Sequence, residues 1–188
     1  MEPAAVFSIL LPADDDPRVT LAALQAIARL PEGRPFEVLI DVAADDLDTR
    51  VLVDGLEGDV RALVNPSPTG YGDAFDRLAR TATTDTLVLL TAASVPADGW
   101  AGALLEALAD ARGAAAVLPR SLSPDGAELP EAHWLALAVR TEAYRSVGGF
   151  AGTREAGRAE KAALLDALRA AGHAVAAAPG AVVLQPAA

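Results

Sequence analysis

The chain has 188 residues, 52% of them hydrophobic and 22% charged, which suits one folded domain with one core and excludes intrinsic disorder. A formal net charge of -11 repels phosphate backbones and anionic lipid heads, so neither nucleic acid nor a membrane surface is an expected partner. The absence of cysteine excludes disulfides and thiolate metal sites, leaving His133, His173 and carboxylates as ligands and making a zinc site unexpected.

The opening MEPAAVFSILLPADDD has no basic region, and no run of about 18 apolar residues occurs; a cytoplasmic chain is expected. Val6 to Leu11 reads as the first strand. Asp16-Pro17 supplies a helix cap and a residue suited to the first helical turn, and Leu21, Leu24, Ile27 and Ala28 recur at helical spacing until Pro31. Phe36 to Ile40 is a second buried strand ending at Asp41, Asp46 to Leu56 a short helix, and Val60 to Val64 a third strand. The rigid turn Asn65-Pro66-Ser67-Pro68-Thr69-Gly70 precedes a helix from about Asp73 to Ala82. Thr86 to Leu90 is the most apolar strand, and Pro96 to Trp100 leads into a helix with Leu104, Leu105 and Leu108 on one face. Ala114 to Leu118 and Trp134 to Val139 read as strands separated by the turn SPDG at 123–126. Val147-Gly148-Gly149-Phe150 closes a short segment, a last helix spans about Glu160 to Ala171, and Val175 to Ala178 and Val182 to Leu184 are short apolar pieces. Strands alternating with helices predict an α/β sandwich of three layers around a mainly parallel sheet. No P-loop, nucleophile elbow or dinucleotide fingerprint occurs.

Read from the residues alone, Asp14, Asp15 and Asp16 are a solvated loop with a helix cap, and Asp45, Asp46 and Asp48 are similar. Asp41 ends a buried strand at the edge where open α/β sheets bind ligands. Asn65 and Gly70 read as turn formers and Asp76 as a helix-surface charge. Arg154, Arg158 and Lys161, the only lysine, recur at i, i+4 and i+7, either a solvated charged loop or a cationic face.

Six segments in order resemble a family 2 glycosyltransferase of the inverting GT-A type. ILLPADDDPRVTLAALQAIARLP is similar to the family's opening strand, turn and helix, and PFEVLIDVAADD to its second strand with paired aspartates. NPSPTGYGDAFDRLARTATTDTLVLLTAASVPADGW resembles its N-x-G-x-x-x-A-x-N helix, the strand that carries the metal-binding D-x-D, and the P-x-x-W turn. ALAVRTEAYRSVGGF and LRAAGHAVAAAPGAVVLQ are similar to its V-G-G-F and closing segments.

The resemblance implies a GT-A-like, Rossmann-like fold and a nucleotide site near Pro12, Asp41, Asn65, Gly70 and Asp76. It also locates the departures. Where the D-x-D would lie stand Thr91 and Ala93, and the closing metal-ligand histidine is Gln185; hard divalent ions need anionic oxygens that these residues lack, so no divalent metal is expected. The acidic pair that would supply the general base reads Glu160-Lys161. A lysine accepts a proton only if burial lowers its pKa by several units, and successive helical residues point about 100° apart. The resemblance also leads to the expectation that the C-terminal extension that often builds the family's acceptor site is lacking. The expected role is therefore a degenerate, non-catalytic module that binds a nucleotide or nucleotide sugar, or pairs with itself or with an active glycosyltransferase. The alternative is an active, metal-independent inverting transferase with Glu160 as base and Arg158 or Lys161 offsetting diphosphate charge.

Overall fold

A computed structural model describes residues 5–30, 35–56, 58–67, 70–111, 113–151 and 160–186. Eight strands form one sheet: β1 (Phe7–Pro12), β2 (Phe36–Ala43), β3 (Val60–Asn65), β4 (Thr86–Leu90), β5 (Val95–Pro96), β6 (Ala114–Leu122), β7 (Ala136–Arg140) and β8 (Ala174–Leu184), in the order β3-β2-β1-β4-β7-β6-β8-β5. The pairs β3-β2, β2-β1, β1-β4 and β6-β8 are parallel, whereas β7 and β5 run against their neighbours. Helices α1 (Pro17–Ile27), α2 (Leu47–Asp54) and α4 (Trp100–Asp110) cover one face; α3 (Tyr71–Thr81), α5 (Thr141–Ser146) and α6 (Glu160–Ala170) cover the other. This is the three-layer arrangement that the alternating pattern predicts.

The period of two along the strands sorts the two cores. Phe7, Ile9 and Leu11 of β1, Val38, Ile40 and Val42 of β2, and Val88 and Leu90 of β4 pack toward α1 and α4, beside Leu24, Ile27, Trp100 and Leu104. Leu10, Leu39, Leu87 and Leu89 face the other way, against Phe75 and Leu78 of α3 and Leu164, Leu165 and Leu168 of α6. Parity therefore also puts Glu37 and Asp41 on the α3 side, one at each end of β2. Glu37, at the amino end, is buried and accepts hydrogen bonds from the Ser8 hydroxyl, the Thr83 amide and Arg61. Burial pushes its pKa up, but these donors together hold the carboxyl below its ordinary value. Asp41 occupies the carboxyl end, where the ligand edge of such a sheet lies.

The acidic runs are helix caps, as read from the sequence. The Asp16 carboxylate accepts from the Arg18 amide at 2.9 Å with Pro17 at the start of α1, and Asp46 caps α2 through the Thr49 amide at 3.0 Å. β2 and β6 run on to Ala43 and Leu122, beyond the expected Ile40 and Leu118, and four further features differ. Helix α3 begins at Tyr71, because Gly70 caps it with φ +132°, and so Tyr71 becomes a helical residue directed at α6 rather than part of a loop. Trp134 stands before β7, at the end of a single 3-10 turn over Glu131–His133. The two closing apolar pieces are one strand, β8, whose register against β6 jumps from Ala178 to Val182, leaving Pro179, Gly180 and Ala181 out of the ladder. The two-residue strand β5, too short to show a period, pairs with the end of that strand.

Candidate functional site

The carboxyl ends of β1, β2 and β3 converge on a polar cluster. Pro12 ends β1 in register with Asp41, and the Asp41 carbonyl accepts the Ala13 amide at 2.9 Å. Asn65, the last residue of β3, donates from Nδ2 to Asp41 Oδ1 at 3.2 Å, while its own Oδ1 accepts the Ser67 amide at 3.1 Å and shapes the turn toward Gly70. The third member is Arg77, one and a half turns into α3, whose Nε lies 2.9 Å from Asp41 Oδ2 and whose Nη2 donates to the Val64 carbonyl at 3.2 Å. The Arg77 Nε–H is not directed along the line to Asp41, so that contact is a charge pair. Burial pushes the Asp41 carboxyl above its ordinary value, and the Asn65 and Arg77 contacts offset only part of that rise. Pro12, Asp41 and Asn65 are thus brought to one edge, Arg77, which sequence reading passed over, joins them, and Gly70 serves as the cap of α3. Its signal lay in helical spacing: Arg77 stands on α3 one residue from Asp76, on the turn that faces the end of β2.

Asp76 is not a helix-surface charge. It is buried, and its carboxylate accepts from the Tyr144 hydroxyl at 2.6 Å, the Phe150 amide at 3.0 Å and the Ala151 amide at 2.8 Å. Both oxygens are turned to the Val147-Gly148-Gly149-Phe150 segment, which identifies Asp76 as the pin that fastens this segment to α3. Gly149 makes the approach feasible: its φ is +60°, and a Cβ there would clash with Asp76 Oδ1 and the Tyr144 ring.

After β4 the chain turns at Thr91–Ser94. The Ser94 hydroxyl donates to the Thr91 carbonyl, the Ser94 amide donates to the Ala92 carbonyl at 2.8 Å, and the Thr91 amide donates to the Leu135 carbonyl at 3.0 Å. Ala93 is exposed. The Thr91 and Tyr71 hydroxyls are buried against one another, and neither reaches hydrogen-bonding geometry with a protein group. Because Val95 pairs with Leu184, Gln185 follows directly beside this turn; it is exposed, and its amide donates to the Leu122 carbonyl at 2.8 Å. The turn and Gln185 are therefore adjacent, as the resemblance implies, but the donor set does not suit Mg²⁺ or Mn²⁺. One hydroxyl is committed to a carbonyl, another is buried on a tyrosine, and no side chain of the turn carries negative charge.

The first turn of α6 meets the first turn of α3. Lys161 is half-buried, its Nζ donating to the Trp134 carbonyl at 2.7 Å while lying 5.4 Å from the Tyr71 ring centre and 5.0 Å from that of Trp134. The Trp134 indole N–H in turn reaches the Lys161 carbonyl at 3.5 Å. Burial lowers the amine's pKa from 10.5 to about 8. Glu160 is exposed and reaches the same turn of α3, one of its oxygens lying 3.1 Å from where a Cβ on Gly72 would stand. Tyr71 and Trp134 are the residues that sequence reading missed here; the G-Y-G triplet and the His-Trp pair showed them without showing that they meet. Arg154 and Arg158 lie outside the described residues. His133 is exposed, and His173 Nε2 lies 3.1 Å from the Ser146 hydroxyl.

No family model matches the chain, and no curated protein matches it in sequence. Its fold is nevertheless shared with solved glycosyltransferases of GT-A type. One is the mannosyltransferase PcManGT from Pyrobaculum calidifontis, solved with GDP-Man and Mn²⁺, which superposes with a TM-score of 0.77 at 17% identity over 95% of this chain and 56% of that one. Another is residues 1–349 of TarS from S. aureus, solved with UDP-GlcNAc, with a TM-score of 0.62 at 11% identity over 75% of this chain and 47% of that one. The chain spans about half the length of these structures. At such identities the likeness concerns fold, and function has to be argued from the site.

Proposed function

We propose that this chain is a degenerate family 2 glycosyltransferase-like domain that binds a nucleotide or nucleotide sugar without a divalent metal and without turning it over, as a binding or partner module. One observation carries the reading. The Asp41, Asn65 and Arg77 cluster stands at the ligand edge of the sheet, while the adjacent turn at Thr91–Ser94 has lost every anionic oxygen a metal would need. Asp41 and Asn65 offer planar acceptors and donors suited to a base edge, and Arg77 adds a half-buried cation. The two glycosyltransferases that share the fold were solved with GDP-Man and UDP-GlcNAc, which supports a nucleotide sugar as the ligand class. Calorimetric titration with UDP, GDP and dTDP and their common sugar conjugates, each with and without Mn²⁺, tests it. Binding of one nucleotide that is indifferent to Mn²⁺ is expected; no binding in any condition overturns the nucleotide reading.

The alternative, an active metal-independent inverting transferase, draws on Lys161. Its amine, lowered to about 8, is still mostly charged at neutral pH, so that Lys161 or Arg158 offsets the diphosphate charge while Glu160 is the base. Release of free nucleotide or glycosylated product from the donor that binds, falling through pH 8 and lowered in Lys161→Met, distinguishes it from a module that only binds.

A further inference from the structure

A cavity of about 410 Å³ opens on the α6 face of the sheet, between β6 and β8, and shares no lining residue with the Asp41 cluster. Its base is apolar: Leu118 of β6 and Trp134 are buried, and Val175 and Ala177 of β8, the latter in register with Leu118, lie on the same face. Its mouth is lined by two acid-base pairs. Arg169 of α6 donates to Glu131, and Arg120 of β6 lies 3.9 Å from Glu128. All four side chains keep between 44% and 62% of their surface in solvent, so their remaining donors and acceptors are available to a ligand.

The chemistry of that lining selects a class. Two guanidinium groups and two carboxylates cancel, so an anionic or cationic ligand would have to break a pair to be recognised. A hydroxyl is both donor and acceptor, whereas a guanidinium only donates and a carboxylate only accepts. Two neighbouring hydroxyls on one ring therefore satisfy an Arg–Glu pair together, one accepting from the guanidinium and the other donating to the carboxylate, with charge-assisted strength on both sides. The C–H face of the same ring matches the apolar base, and the volume lies in the range of small-ligand sites. We propose that this cavity is a binding site for a neutral saccharide, held by Arg169–Glu131 and Arg120–Glu128 across its hydroxyls and by the Leu118, Ala177 and Trp134 surface beneath. The site is separate from the Asp41 cluster, and it stands or falls independently of the nucleotide reading.

Trp134 supplies the readout. The protein has two tryptophans, and Trp100 lies in the other core, so in Trp100→Phe the indole emission reports the base of this cavity. Maltose, cellobiose and mannobiose are titrated beside glucuronic acid and glucosamine as charged counterparts, with calorimetry of the unmodified chain in parallel. A neutral disaccharide is expected to change Trp134 emission saturably and to bind more tightly than either charged sugar. Glu131→Gln with Arg169→Gln is expected to weaken that binding about tenfold, and Ala177→Phe, which fills the base and leaves both pairs intact, to abolish it. Nucleotide affinity is expected to be unchanged in every variant. Thermal melts verify that each variant remains folded; the paired residues are half-exposed, so their replacement is not expected to unfold the chain. Absence of saturable binding by all three disaccharides, preference for a charged sugar, or equal affinity in the cavity variants overturns the proposal.

Discussion

Replacing Lys161 by Met should alter how stability responds to alkali more than it alters stability itself. Methionine keeps an unbranched stem between Tyr71 and Trp134 and removes the only titrating group of the cradle; the Tyr71 hydroxyl, raised further by burial, stays protonated throughout. In the unfolded chain the lysine titrates near 10.5, in the folded protein near 8. Between those values the unfolded state holds more protons, so stability climbs as pH rises through the interval. From about pH 7 to about pH 9 the two-value titration gives a gain of about 1.3 kcal/mol, and about 1 kcal/mol once partial solvent access is allowed for. Urea unfolding of both proteins at the two pH values, with the change in Lys161→Met subtracted from that of the unmodified chain, isolates the effect because other alkaline groups are common to both. A difference near 1 kcal/mol in favour of the unmodified chain is expected. Parallel pH profiles, or a loss of stability with pH specific to the unmodified chain, would falsify the assignment of a desolvated amine at Lys161.

Asp76→Ala leaves the Tyr144 hydroxyl and the Phe150 and Ala151 amides without their acceptor and should cost about 3 kcal/mol in urea unfolding. Gly149→Ala should cost a similar amount, about 3 kcal/mol, because its Cβ meets both Asp76 Oδ1 and the Tyr144 ring; combined with Asp76→Ala it should cost less than the sum, the Tyr144 contact and the positive φ remaining, and full additivity would show that the Asp76 contact is not part of the cause. Glu37 has a folded-state pKa below its ordinary 4.5, so the stability it contributes is complete above that value and lost as pH falls through the lower, folded one. Acid unfolding of Glu37→Gln should lack this component, and an acid profile identical in shape to that of the unmodified chain would contradict it.

Much of the fold was legible because burial writes period into sequence. The continuous apolar runs of β1, β2 and β4, the caps at Asp16 and Asp46, and the proline and glycine stops needed no tertiary information. The misses share a cause: β5, the 3-10 turn at Glu131–His133 and the joined β8 are set by partners distant in sequence, Val95 finding Leu184 and Ala174 finding Ala114. At the candidate site, Asp41 and Asn65 were readable because each ends an apolar run. Asp76 was misread because an aspartate on a helix looks exposed until the chain 74 residues later is seen to need its oxygens. Lys161 was identified as a departure, but its lowered pKa depends on Tyr71 and Trp134 closing around it, which no local pattern records.

The most direct test compares one dissociation constant under two conditions. For whichever of UDP, GDP or dTDP binds most tightly, calorimetry is run on the unmodified chain with saturating Mn²⁺ and again with EDTA. If the Asp41, Asn65 and Arg77 edge binds the nucleotide beside a turn that cannot hold a metal, the two values agree within about twofold. Tightening by about tenfold or more in Mn²⁺ would mean that the ligand and the protein share a divalent ion after all, and would contradict the metal-independent reading.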